Sequence, residues 1–140
     1  MTQQELIDYI SARQFMVIAT FGEEYPESAC VEFGNDGLTI IIDTNRASRK
    51  FKNIQNNPKV SLVIGWEDER TVQYEGVATL LEEGSELEHL KQAYFKKSPE
   101  AQKWETTEGN IYFKIEPKWV RYTDLNVAPW DVTVFDLSPK

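Results

Sequence analysis

Apolar positions along the chain alternate between two periods, and the changes of period mark the elements. Thr2-Gln3-Gln4-Glu5 sets a hydroxyl three residues before a carboxylate, the reciprocal pattern of a capping box. Leu6, Ile7 and Ile10 follow at helical spacing, which predicts a first helix running to about Arg13. Residues 15–21 then read as a mostly apolar strand ended by Gly22-Glu23-Glu24, and residues 28–33 as a second. Asn35-Asp36-Gly37 is a hairpin signal leading into a third strand at 38–43. A short helix carries Ala47, Phe51 and Ile54 on one stripe until Asn56-Asn57-Pro58 breaks it.

The second half continues in the same way. Residues 59–66 make a fourth strand and 70–81 a longer fifth, with Gly76 marking a bulge. Residues 86–97 form a helix with Leu87, Leu90 and Tyr94 inward, and Ser98-Pro99-Glu100 starts a second, short one. Residues 111–115 and 118–123 finish as strands. There is no internal repeat and no low-complexity linker. This order predicts a mainly β protein with accessory α: an antiparallel barrel with an N-terminal helix and helices inserted after the third and fifth strands. It also predicts a domain over 1–126 and a tail over 127–140, whose Trp130, Val132, Val134 and Phe135 have little polar cover. Such a tail folds back on its own barrel or is covered by a partner copy, and the partner is preferred.

Composition narrows the functions. The chain has 140 residues, enough for one domain with a real core, and 41% of them are apolar. A net charge of -8 argues against general binding to nucleic acid or to an anionic membrane surface. No apolar run is long enough to span a membrane, and the first residues do not form a signal peptide, so a cytoplasmic protein is expected. One cysteine, Cys30, and one histidine, His89, cannot supply a zinc site, and no metal is expected. Cys30 stands in a strand between Ala29 and Val31 and is expected to be a buried, inert thiol; His89 is expected on a helix surface.

Against this acidic background, four of the fifteen Lys and Arg residues fall between positions 46 and 52. The run Asp43-Thr44-Asn45-Arg46-Ala47-Ser48-Arg49-Lys50 leaves a strand and opens a helix, where backbone N–H groups lack internal partners and the helix dipole is positive. The hydroxyls of Thr44 and Ser48 and the cations of Arg49 and Lys50 are therefore candidates for an anion site. The helical wheel alone also admits a solvated basic face.

Several segments together resemble the pyridoxamine 5′-phosphate oxidase-like family of FMN-binding split barrels, and within it the shorter, general-stress-type members. They are Ile18-Ala19-Thr20 with Pro26; Asp43-Thr44-Asn45 with Ser48-Arg49-Lys50; Asn56-Asn57-Pro58-Lys59-Val60-Ser61-Leu62; Glu75-Gly76-Val77-Ala78; and Tyr94 to Pro99. The resemblance implies a split β-barrel and a homodimer with FMN sites at the interface. It also implies an oxidoreductase working with a small-molecule redox partner of unknown identity. It would put Thr44, Ser48, Arg49 and Lys50 on the flavin phosphate, with Asp43 beside Thr44 at the strand end of the cofactor site, and Thr71, where the oxidases carry glutamine, or Gln73 at the polar edge of the ring. Two departures stand out. Ala29 occupies the place of a phosphate-holding arginine, and the Arg-x-His pair that grips the vitamer is missing, so oxidation of vitamin B6 itself is not expected. No catalytic residue is assigned, and whether the chain is an enzyme stays open. The alternative is a non-catalytic or stress-related barrel holding FMN, deazaflavin, haem or no cofactor.

Overall fold

In a computed structural model of the chain, residues 1–139 are described. The helix α1 (Gln3–Ser11) starts as its capping box requires: Thr2 Oγ1 accepts from the Glu5 N–H at 3.1 Å and the Glu5 carboxylate accepts from the Thr2 N–H at 3.4 Å. It buries Leu6, Tyr9 and Ile10. It ends two residues earlier than the pattern predicts, because Arg13 turns away to pair with Asp68 at 2.7 Å and to lie over the Tyr9 ring.

Among the described residues eight strands form one antiparallel sheet: β1 (Phe15–Phe21), β2 (Pro26–Glu32), β3 (Gly34–Asp36), β4 (Thr39–Asn45), β5 (Lys59–Ile64), β6 (Arg70–Leu81), β7 (Asn110–Asp124) and β8 (Asp131–Asp136). Their order is β2-β1-β5-β6-β7-β4-β3, with β8 paired to β7 off this path. The sheet curls into a half-barrel, as a split barrel does. Helix α2 (Arg49–Asn56) follows β4, and α3 (Ser85–Lys97) follows β6, leading into a 3-10 turn, Pro99–Trp104. Inside the curl lie Met16, Ile18, Ile40, Ile42, Leu62, Ile64, Val72 and Tyr74, all nearly inaccessible to solvent. The Tyr74 hydroxyl stays satisfied there by donating to the Leu38 and Ile115 carbonyls.

Three details differ from the reading of the sequence. The Asn-Asp-Gly hairpin joins β4 to an additional short strand, β3, so α2 and α3 follow the fourth and sixth strands. The two final strands are one: β7 runs through Pro117, where the register shifts so that Glu75 faces Trp119 while Gly76 faces Pro117. A Cβ at Gly76 would lie 2.5 Å from the Glu116 carbonyl oxygen, so only glycine fits opposite this bulge. Cys30 is exposed rather than buried. It sits on an edge strand, and its alternation points inward at Ala29 and Val31 and outward at Ser28 and Cys30.

β8 extends the sheet along the second half of β7, end to end with β4, which pairs with the first half. Phe135 packs on the core, while Val132 and Val134 remain exposed at 42% and 50%. At the other end of the barrel, Lys97 lies 3.5 Å above the Phe33 ring and donates to the Ile10 carbonyl and to Asn35, tying α3 to α1 and β3. Burial pushes its amine down to about 7. No helix is long and apolar enough to cross a membrane, and no three His, Cys, Asp or Glu side chains converge on a metal geometry, among the described residues.

Candidate functional site

The sheet order leaves β2 at one end and β4–β3 at the other, so the barrel is open between them, and α2 packs against β1 and β4. Asn45 shapes the entry to α2. Its side-chain oxygen accepts from the Ala47 N–H at 2.9 Å and its carbonyl from the Ser48 N–H at 2.9 Å, turning the chain out of β4. Ser48 is the N-cap, accepting from the Phe51 N–H at 3.2 Å. The N–H groups of Arg49 and Lys50 are thus the first-turn donors left without an acceptor among the described residues. Phe51 and Ile54 bury the opposite face of the helix in the core.

Five of the predicted site residues come together at this corner. Thr44 Oγ1 and Ser48 Oγ are 2.9 Å apart, in hydrogen bond. Arg49 and Lys50 line a small cleft of about 100 Å³ with Thr20, Glu27, Ser28 and Ala29, roomy enough for a phosphate-sized anion. Asp43 stands one residue before Thr44 and accepts a hydrogen bond from the Tyr94 hydroxyl at 2.9 Å. Burial, reinforced by the nearby Glu32, raises the affinity of the Asp43 carboxyl for its proton; Tyr94 and Lys50 oppose this. Asp43 and Thr44 also line a second cleft of about 330 Å³, with Val31, Glu32, Asn45, Tyr94, Trp104, Thr107 and Asn110. Ala29 and Val31 follow each other on the same face of β2, so the two clefts succeed one another along that strand.

Thr71 and Gln73 lie elsewhere. Both are on the outer face of β6, where Gln73 faces Val63 and Arg121 across the ladder. From β6 to β2 the sheet steps over β5 and β1, about 14 Å at roughly 4.8 Å per strand. Within one chain they do not join the cleft. Arg121 carries a buried Nε without a partner among the described residues.

Reading the residues alone missed Glu27. Its Oε1 accepts from the Asn53 amide at 2.7 Å, and its Oε2 lies 3.4 Å from Arg49. The buried Asn53 also donates to Thr20 Oγ1 at 3.0 Å. Period-two alternation puts Glu27 on the same face as Ala29, so the assignment of Ala29 to the anion site already carried Glu27 with it. The basic run is also less basic than it reads. Arg46 pairs with Glu82 at 3.7 Å and Lys52 with Glu23 at 3.0 Å, which leaves Lys50 as the cation of α2 with no carboxylate within 4.0 Å among the described residues.

Fold and site together define a split-barrel protein whose opening is lined by a strand-to-helix corner. The family model described as pyridoxamine 5′-phosphate oxidase matches residues 2–124, and the chain belongs to that family. It is 31% identical over 67 residues to General stress protein 26 of Bacillus subtilis (strain 168), a segment covering 48% of each chain. It is 43% identical over 68 residues to pyridoxine/pyridoxamine 5′-phosphate oxidase 2 of Hydrogenovibrio crunogenus, covering 45% of this chain and 31% of that one. The matched segments therefore span half or less of these curated relatives. Among solved structures, General Stress Protein 26 from Bacillus anthracis str. Sterne superposes with a TM-score of 0.76 at 23% identity, over 96% of this chain and 98% of that one. A heme binding protein from Mycobacterium smegmatis gives 0.80 at 20% identity, over 95% of this chain and 58% of that one. An FAD-binding protein from Mesorhizobium loti gives 0.70 at 12% identity, over 87% and 94%. At these identities the structural likeness speaks for the fold, which serves both flavin-binding and heme-binding proteins.

Proposed function

We propose that the chain binds FMN at the β4–α2 corner and acts as a flavin-dependent oxidoreductase on a small-molecule redox partner. The observation that carries this reading is the corner itself. Two N–H groups without an acceptor among the described residues and the Thr44–Ser48 hydroxyl pair stand at the start of α2, and Arg49 and Lys50 line the cleft of about 100 Å³. A phosphate dianion satisfies such donors and is favoured by the helix dipole. The fit is partial: Ala29 supplies no cation, and Arg49 already faces Glu27. Bound FMN would supply the electron transfer, while the chain holds the phosphate and keeps water from one face of the ring. A haem reading draws less support, since the only histidine, His89, lies exposed on α3 and pairs with Asp36 at 2.8 Å, away from both clefts.

The same reading includes a homodimer. Phe15 and Phe21 on β1 and Val132 and Val134 on β8 stay 42% to 56% exposed on the outer face of the sheet, next to Trp130 at 59%. A second copy of the chain would cover this apolar face. Thr71 and Gln73 share that face, so they would reach a ring held at β2 only across the chain–chain contact.

Titration with FMN tests the proposal, read by quenching of flavin fluorescence and by melting temperature, with sedimentation for the two-chain mass. Saturation at micromolar FMN and a rise in Tm are expected. Arg49→Ala with Lys50→Ala should weaken FMN binding at least a hundredfold and leave the fold intact, because both side chains are surface groups of α2. Unchanged affinity in that double variant would remove the phosphate role from this helix.

A further inference from the structure

Resting on the anion-site reading above, we infer that Glu27 is a built-in competitor for the phosphate end of the ligand and sets how strongly this site prefers a phosphorylated flavin over an unphosphorylated one. The carboxylate is not a passing surface contact. It is 24% exposed, and its Oε1 is anchored at 2.7 Å by Asn53, itself 6% exposed and braced on Thr20. Space for it is made by Gly22, where a Cβ would lie 2.8 Å from Glu27 Oε2 and 2.3 Å from the Tyr25 carbonyl oxygen. Oε2 is turned to Arg49, whose side chain is 79% exposed and free to exchange one anion for another.

Glu27 and the two cations line the same cleft of about 100 Å³. A phosphate entering it meets a fixed negative charge and must draw Arg49 away from its partner. Glu23 and Glu24 line the adjoining cleft with Glu27, Arg49, Lys52 and Asn53, and add to the repulsion. An uncharged ribityl chain feels neither effect. Replacing the carboxylate by its isosteric amide keeps the Asn53 hydrogen bond, because the amide oxygen still accepts, and removes the charge together with the acceptor that faces Arg49.

The decisive measurement compares dissociation constants for FMN and for riboflavin in the wild type, Glu27→Gln and Glu27→Gln with Arg49→Ala. FMN should bind Glu27→Gln at least tenfold tighter, about 1.4 kcal/mol, with riboflavin changed less than twofold and the gain largely lost in the double variant. A wild-type protein that ignores FMN while Glu27→Gln binds it would be the strongest support. An unchanged or lower preference for FMN in Glu27→Gln, in a wild type that binds FMN, overturns the inference and leaves the flavin reading standing. Inorganic phosphate at matched ionic strength separates the two further. A larger rise in Tm for Glu27→Gln than for wild type, without flavin binding, keeps the competitor role and removes the flavin; no difference in either assay removes both. Glu27→Ser repeats the comparison should the amide variant fold poorly.

Discussion

Two clefts follow one another along β2 and differ in sign. The one beside α2 holds Arg49 and Lys50 against a single carboxylate, Glu27, and is floored by the small residues Ser28 and Ala29. The one toward α3 holds Glu32 and Asp43, with Tyr94 and Trp104, and no lysine or arginine among the described residues lines it. The same strand and the same opening thus present an anion-accepting end and an acidic, aromatic end. Such a depression suits an extended ligand that is anionic at one end only. The contrast also shows that a count of charges along the chain does not describe a site. Four cations between positions 46 and 52 yield one, Lys50, with no carboxylate within 4.0 Å among the described residues, because Glu82, Glu27 and Glu23 come in from distant strands and loops.

The sharpest way to exaggerate the difference is to restore a cation to the first cleft. Ala29→Arg should tighten FMN binding about tenfold, since a guanidinium reaching a phosphate adds a charge-assisted pair of hydrogen bonds; in Glu27→Gln the same change should add less, because both relieve one electrostatic deficit. Isothermal titration of the single and double variants measures this, and a neutral Ala29→Arg would show that position 29 does not face the ligand.

Comparable in size is the effect of the link that holds Glu27. Asn53→Ala removes donors from both Glu27 and the buried Thr20 hydroxyl, leaving them under-satisfied and a small void behind. A loss of about 1–3 kcal/mol in stability is expected, read from urea melts; Asn53→Asp should be worse, since it sets a second carboxylate against Glu27.

The smallest effect belongs to the acidic end and depends on pH. Burial raises the Asp43 proton affinity in the folded chain above that in the unfolded chain. The folded state therefore binds more protons in the window just above the ordinary carboxylate range, near pH 4, and stability falls as pH rises through it. Asp43→Asn lacks this loss and keeps an acceptor for Tyr94. Its Tm should exceed the wild type's at pH 7 and approach it at pH 3.5. An equal offset at both values would assign the difference to packing rather than charge.

Much of this was legible without coordinates, and the physical reasons are local. The capping box of α1, the apolar stripe of α2, the Asn-Asp-Gly turn and the bulge at Gly76 each depend on residues a few positions apart. Thr44, Ser48, Arg49 and Lys50 lie within seven residues, so their meeting at one corner is a property of a single strand-to-helix turn. Pattern reading stumbled where two signals were equally satisfied. Pro117 looked like a strand break and proved to sit opposite a bulge in a continuous β7. Cys30 looked buried because its neighbours Ala29 and Val31 are apolar, but on an edge strand those neighbours fix which side is inner and leave the thiol outside.

What the chain determined by itself, then, was most of the elements, their amphipathic faces and the donor-rich corner between β4 and α2, all governed by short-range periodicity and capping. Tertiary structure alone decided which carboxylates answer the cations of α2 and that Thr71 and Gln73 fall on the face away from the cleft. Those outcomes depend on sheet order and register between segments 20 to 60 residues apart, and no local preference encodes a pairing across that distance.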